Sequence, residues 1–367
     1  MNDAGAPRVA AMREDHGRFA ALHDTRVLIY WPHGLGDWVH FGAVAPLLEP
    51  SNAYAMTRFG DDYVSLMEGA RGIEPLFSGV RTPQDGASSS TPHLGLELRR
   101  CSGRPVALAL QPPLLESVQE FAPQALLWTD YAETEGRTPY PFHTKARNLI
   151  RQLVSKTRLA TFDLSRPLPN AIDFKAPAST QRRLDEALAR FAGAGARIGV
   201  ISRRGFTAER KNWGDGSEAR AFVAAMRSHS ADWRFVSMDD EDLGENVAGF
   251  RALFGELDEP FARLLKALLA RTELFVGVPA GPLHAAMARG GVPVVGIWLA
   301  HHPDWYDEPN AGAVHLIGDY VRERGFERRP ATTTKPPSLS HRIFYLDTRS
   351  VDASSVVEAA RGLVRLN

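Results

Sequence analysis

Along the chain, short apolar runs rich in β-branched residues alternate with glycine-bearing turns and stretches of helical spacing. Arg26–Trp31 is one such run; Pro32 to Gly36 breaks it, and a helix-compatible pattern follows from Trp38 towards Leu48. Ala53–Met56 reads as a second strand and Gly60–Glu68 as a short helix. Val106–Leu110 and Leu126–Trp128 read as further strands, and Phe142–Val154 has helical spacing. Arg81–His93 is turn-rich and carries no period. Arg166–Ser179 holds three prolines, Pro167, Pro169 and Pro177, with no apolar period, and reads as a linker.

The pattern then starts afresh. A helix is predicted over Thr180–Phe191, ended by Gly193 and Gly195, then a strand over Arg197–Ile201 and a polar loop over Ser202–Gly216. Ser217–Ser228 reads as a helix and Trp233–Met238 as a strand. After the loop Asp239–Gly244 the pattern suggests a helix and then a short strand around Leu253–Phe254. Pro260–Ala270 reads as an amphipathic helix, Leu274–Val278 as a strand, Pro282–Arg289 as a helix start and Val292–Trp298 as a strand. The last helix is Val351–Val364. Alternation of this kind means a parallel sheet with helices on both faces. The fold class is therefore α/β, with two Rossmann-like halves. The expected divisions are a tail at 1–24, a first domain at 25–165, the linker at 166–179, a second domain at 180–345 and a closing segment at 346–367 that returns to the first domain. Ligands in such halves bind outside the carboxyl ends of the strands, so two halves facing across a cleft would hold the chemistry between them.

Composition narrows the function. The 367 residues exceed what one core usually holds, which agrees with two domains. Lys plus Arg equals Asp plus Glu at 43 each, so nucleic acid is not expected as a partner. A lone cysteine, Cys101, excludes a disulfide framework and fits a reducing cytoplasm. No apolar run approaches the roughly 20 residues of a membrane span, and the first 24 residues lack the apolar core of a signal peptide. His143, Lys145, Arg147 and Arg151 interleave with Ala146, Leu149, Ile150 and Leu153. They read either as a solvated helix face or as a shelf for an acidic acceptor or a phosphorylated lipid surface. His301 and His302 beside Asp304 have no third metal ligand in sight and read as a loop. Trp305 and Tyr306 are packing or sugar-stacking aromatics. Oligomeric state is not legible.

Three stretches carry chemistry. Gly34-Leu35-Gly36-Asp37 joins the first strand to its helix; Asp37 is there either an N-cap or a reactive carboxylate. Lys211-Asn212-Trp213 lies in a cationic loop behind a strand. Gly281-Pro282-Leu283-His284-Ala285-Ala286 opens a helix just before Gly291-Val292-Pro293-Val294-Val295. In order, spacing and setting, over roughly residues 26–300, these resemble glycosyltransferase family 9, the lipopolysaccharide heptosyltransferases. That family opens on G-[LI]-G-D, carries a Lys-x-Trp loop early in its second half, and closes on D-[TS]-G-x-x-H before a G-V-P-V-V strand.

The resemblance implies a GT-B type, inverting glycosyltransferase. It would need no metal or other cofactor, use a nucleotide-diphosphate sugar as co-substrate, and act in the cytoplasm, either free or peripheral to the inner membrane surface. Its acceptor would be a hydroxyl of a cell-surface glycan, lipid or protein. Asp37 then corresponds to the general base, in the loop of Gly34, Leu35 and Gly36. Lys211 corresponds to the cation on the donor phosphates, with Ser202, Thr207 and the helix start Gly281, Pro282, Leu283 and His284 completing the nucleotide-sugar site. His284 reads equally as a structural imidazole. The chain departs from the family at Pro279 and Ala280, which replace the aspartate and the hydroxyl residue, and at Phe206 and Ala208, where polar residues are usual. These departures keep a second reading open: a relative that binds nucleotide or glycan without turnover. A third is another GT-B enzyme, such as a sugar-nucleotide epimerase, which would need further carboxylates at the cleft.

Overall fold

The structure is a computed structural model that describes residues 26–30, 34–42, 52–56, 65–68, 74–77, 98–99, 105–106, 125–128, 170, 172–205, 211–300, 303, 312–318, 342–345 and 351–364. The chain divides into two compact units, Met1–Asp173 and Phe174–Asn367. The division falls inside the proline-rich stretch, but that stretch is not a bare linker. Asn170 donates its side-chain amide to the Val39 carbonyl at 2.7 Å, and Ile172 is buried in the first unit. At the other end, Ala178 and Ser179 already belong to a helix.

In the first unit, β1 (Arg26–Tyr30) leads through Gly34 to α1 (Leu35–Phe41), followed by β2 (Asn52–Met56) and β3 (Glu74–Phe77). β4 (Leu98–Arg99) and β5 (Pro105–Val106) form a separate antiparallel pair, and β6 (Ala125–Trp128) rejoins the main sheet. That sheet is parallel, in the order β3-β2-β1-β6. The first part of the strand expected at Val106–Leu110 therefore lies outside the main sheet, and its remainder lies outside the described residues. β3 was not expected.

The second unit runs α2 (Ala178–Ala192), β7 (Arg197–Ser202), α3 (Ser217–His229), β8 (Trp233–Ser237), β9 (Val247–Gly249), α4 (Phe250–Phe254), α5 (Phe261–Leu269), β10 (Leu274–Gly277), α6 (Gly281–Arg289), β11 (Val294–Trp298), β12 (Ala313–Ile317), β13 (Arg342–Tyr345) and α7 (Ala353–Leu363). Its seven strands are all parallel, in the order β13-β12-β11-β10-β7-β8-β9. Apart from Arg197 at the start of β7, the central strands β7, β10 and β11 are buried, which is why they read as continuous apolar runs.

One expectation is corrected. The short strand expected around Leu253–Phe254 is α4, and the edge strand is β9, just before it. Phe250 and Phe254 sit four residues apart on one helix face, their rings 5.2 Å apart, and Phe261 closes the cluster at 5.1 Å from Phe250. That packing decides helix over strand. The closing helix packs on the second unit. Val351, Val356, Ala360 and Val364 enter the core of the second, together with Trp213, Phe222 and Leu316. Trp213 donates its indole N–H to the Val351 carbonyl at 2.6 Å, and Glu218 accepts the Ala353 N–H at 2.7 Å.

Gly199, in central β7, pairs in register with Phe235 of β8, whose ring folds over it. A Cβ at Gly199 would meet the ring at 2.3 Å. Gly199→Ala should therefore lose about 1–3 kcal/mol through overpacking. Adding Phe235→Leu should recover part of that loss, giving a double variant less destabilised than the sum of the singles. Urea unfolding of the four proteins measures this, and strict additivity would mean that the ring is not the obstacle.

Candidate active site

In a parallel sheet the site follows from strand order. In the second unit the chain runs β7-β8-β9 to one edge, then returns to β10 on the other side of β7 and continues outward. The order reverses between β7 and β10, and ligands bind beyond the carboxyl ends at such a point. There Ser202 pairs with Gly277, and the Val278 N–H donates to the Ser202 carbonyl at 2.9 Å. Two loops leave this junction, one carrying Lys211 and the other leading to α6.

The Lys211 loop is tightly tied. The Trp213 N–H donates to the Arg203 carbonyl at 2.9 Å, and the Gly205 N–H donates to Asn212 Oδ1 at 2.9 Å. Lys211 is half-buried and its stem lies against Gly205, where a Cβ would come within 2.7 Å of the lysine Cβ. Arg203, only 3% exposed, spends its guanidinium inward. Nε donates to Glu241 Oε2 at 2.5 Å, Nη2 to the other Glu241 oxygen, and Nη1 to the Gly214 carbonyl at 2.6 Å. Asp239 accepts the backbone N–H groups of Arg203 and Arg204 at 2.6 and 3.2 Å. Burial pushes the Asp239 carboxyl above its ordinary value despite these bonds. Burial would raise Glu241 too, but hydrogen bonding and charge from Arg203, with Arg204 beside it, hold it below the usual carboxylate range. Sequence reasoning missed this acidic pair. The signal available was Asp239 and Glu241 in a loop one strand on from two arginines.

The second loop ends at α6, whose N-cap is Ala280 in extended conformation. Ala280 offers no side chain to cap the helix, and Pro282 occupies its first turn. Gly281 and Pro282 are half-buried and Leu283 is buried. His284 is 3% exposed and meets Trp298 edge to face at 6.5 Å; Trp298 in turn donates to His315 Nδ1 at 2.9 Å. Its imidazole is thus part of a buried aromatic group beneath the helix start. Ser202 is 2% exposed and ties the junction through its carbonyl. Pro279 is buried as well.

The first unit has its own reversal, between β1 and β6, and α1 opens off β1 beside it. The helix begins at Leu35 with Gly34 as N-cap, so Asp37 is the third helical residue and the N-cap reading is corrected. It is 5% exposed and accepts the Gly34 N–H at 3.2 Å, the reach-back half of a capping box. Leu35 is buried and Gly36 half-buried beside it. The Asn170 bond to Val39 fixes the far end of the same helix. Thr207, Phe206, Ala208, the segment 142–154, His301, His302, Asp304, Trp305, Tyr306 and Cys101 lie outside the described residues. Among the described residues no cluster of His, Cys, Asp or Glu is placed to hold a metal, and no helix is long and apolar enough to cross a membrane.

No protein-family model matches the chain, and no curated protein sequence does. Solved structures do. A glycosyltransferase family 9 protein from Veillonella parvula DSM 2008 matches with a TM-score of 0.54 at 15% identity, over 94% of this chain and 98% of that one. The chain has that fold. An ADP-heptose lipopolysaccharide heptosyltransferase II from E. coli gives 0.49 at 11% identity, over 92% of this chain and 98% of that one. The E. coli heptosyltransferase WaaC with ADP gives 0.45 at 12% identity, over 81% and 94%. The match to the Veillonella protein spans both units, so the α/β, doubly Rossmann-like GT-B class applies to the whole chain.

The raised Asp239 carboxyl has a consequence for stability. A carboxyl whose folded value lies above its unfolded one retains its proton longer in the fold, so stability falls as pH rises from the ordinary value of 3.8 through the raised one. Asp239→Asn keeps an oxygen for both N–H groups and has no charge to bury. The melting temperature of the variant relative to wild type should therefore climb as pH rises from about 4 to 7. A difference that is flat or falls over that range would contradict the burial argument.

Proposed function

We propose that the protein is an inverting, metal-independent glycosyltransferase that moves a sugar from a nucleotide-diphosphate sugar to a hydroxyl of a cell-surface glycan, lipid or protein. One observation carries the reading. A lysine loop and an uncapped helix start rise from the paired strands β7 and β10 at the reversal of strand order, in a chain with the fold of a family 9 glycosyltransferase. Together they offer an ammonium and backbone N–H groups to a leaving diphosphate, the charge that catalysis must stabilise. In the proposed step the acceptor oxygen bonds to the anomeric carbon while the bond from that carbon to the donor phosphate breaks. The bonding pair leaves with the nucleoside diphosphate, and the acceptor proton passes to Asp37. The configuration at the anomeric carbon inverts because attack and departure are on opposite faces. A nucleotide-sugar donor and a single cysteine fit a cytoplasmic setting.

Asp37→Asn tests the step. The amide still has an oxygen for the Gly34 N–H but cannot take the proton. Binding of nucleoside diphosphate should be unchanged, and transfer should fall about 10²–10⁴-fold. Near-native turnover in the variant would remove Asp37 from the chemistry. Wild-type protein that binds diphosphates but transforms no donor would favour the non-catalytic binder, whose support is Pro279 and Ala280; an epimerised donor would favour the epimerase.

Pro279 bears on the donor. Proline has no carboxylate to hold sugar hydroxyls, and discrimination between sugars rests on paired polar groups. A nucleotide-activated deoxyhexose should be transferred at least as fast as ADP-heptose. A panel of donors compared by initial rate decides this, and a clear preference for ADP-heptose would mean that other residues hold the hydroxyls.

A further inference from the structure

We infer that Arg203 is a positioning residue: its buried fork to Glu241 and to the Gly214 carbonyl holds Lys211 in the geometry that meets a diphosphate. The inference rests on the donor-site reading above and adds a residue to it. The Lys211 loop leaves the sheet at Arg203 and returns at Trp213, and Arg203 closes it twice. Its carbonyl accepts the Trp213 N–H at 2.9 Å, and its Nη1 donates to the Gly214 carbonyl at 2.6 Å and the Trp213 carbonyl at 3.4 Å. The other edge of the guanidinium binds both oxygens of Glu241, in the loop after β8. That loop is anchored independently, because Asp239 accepts the Arg203 and Arg204 N–H groups.

One planar cation thus spans both limbs of the lysine loop and the neighbouring loop. Lysine cannot replace it, since a single ammonium on a flexible stem has no fork to bridge two acceptor groups. Lys211 stands two residues before Trp213, and Gly205, two residues after Arg203, is the seat for its stem. At 3% exposure Arg203 is too enclosed to meet a ligand itself. Its contribution must pass through Lys211.

The test is a double-mutant cycle read by calorimetry. ADP, GDP, UDP and dTDP are titrated into wild-type protein, and the tightest binder and its nucleoside are carried forward. Arg203→Lys should weaken the diphosphate about tenfold and leave the nucleoside within about twofold. In a Lys211→Ala background the same change should have less than about a twofold effect, because the group it positions is gone. A tenfold loss in both backgrounds, or equal loss for nucleoside and diphosphate, would overturn the inference. Gly205→Ala supplies a second arm should Arg203→Lys not fold. It lies on a half-buried loop and displaces the lysine stem, so it should reproduce the selective loss; wild-type affinity would overturn the inference. If none of the four diphosphates binds the wild type, the donor-site reading itself fails. Binding with additive losses sinks only the role of Arg203.

Discussion

A parallel strand cannot turn straight back on its neighbour. Each connection must cross a face of the sheet, so the chain leaves its first strand towards one edge and can reverse that direction afterwards. The second unit reverses after β9, and everything of chemical interest there depends on it. Because β10 is laid beside β7 and not beside β9, the loops after residues 202 and 277 share one end of the sheet with no strand connection closing the gap between them. The Val278 N–H bond to the Ser202 carbonyl holds the two loop origins together. A single backbone hydrogen bond is worth only about 1 kcal/mol net, so it sets geometry more than stability. The stability lies below, in the continuous apolar core of β7, β10 and β11.

The second constraint is electrostatic. A loop at the end of a sheet has no regular ladder, and its backbone groups must find partners elsewhere. In the lysine loop these come from side chains: Asn212 serves Gly205, Asp239 serves Arg203 and Arg204, and Arg203 serves Trp213 and Gly214. The arrangement encloses two carboxylates and a guanidinium at one spot. The carboxylates respond in opposite directions, since Glu241 has the fork of Arg203 and Asp239 has only backbone donors as direct partners. Trp213 then joins the loop to the closing helix through Val351, so a segment more than a hundred residues away helps to brace it.

Much of this was legible from pattern. Strands buried on both faces are apolar with little interruption, so β7, β10 and β11 announced themselves, as did helices α2, α3 and α5 through their amphipathic spacing. The failures have particular causes. Residues 247–254 are too short for either period to register, and aromatic contacts between Phe250, Phe254 and Phe261 decided the outcome. The Ala313–Ile317 strand has a buried histidine, His315, in its middle; the run looks broken until Trp298 is seen to satisfy that side chain. Asp37 was correctly singled out as a residue of interest, but its place in the helix was not, because Gly34 in extended backbone starts the helix three residues earlier than the apolar pattern does.

Ala280 shows how a departure from a motif can be weighed physically. A hydroxyl or carboxylate side chain at an N-cap satisfies the first N–H groups of its helix, and an alanine there forgoes about 0.5–2 kcal/mol. At α6 the N-cap residue makes no side-chain cap bond, and the proline that follows removes one donor without removing the dipole. The helix can tolerate this because Leu283, Ala285, Ala286 and Met287 are buried on β10 and β11, so packing and not capping holds it in place. A helix start left uncapped by its own sequence and secured by its buried face is stable without a ligand and electrostatically incomplete without an anion. Ala280 therefore removes a capping hydroxyl from the motif and leaves the backbone N–H groups of the helix start in place. In the proposed donor site it is Pro279 that bears on the sugar, whereas Ala280 bears on the cap.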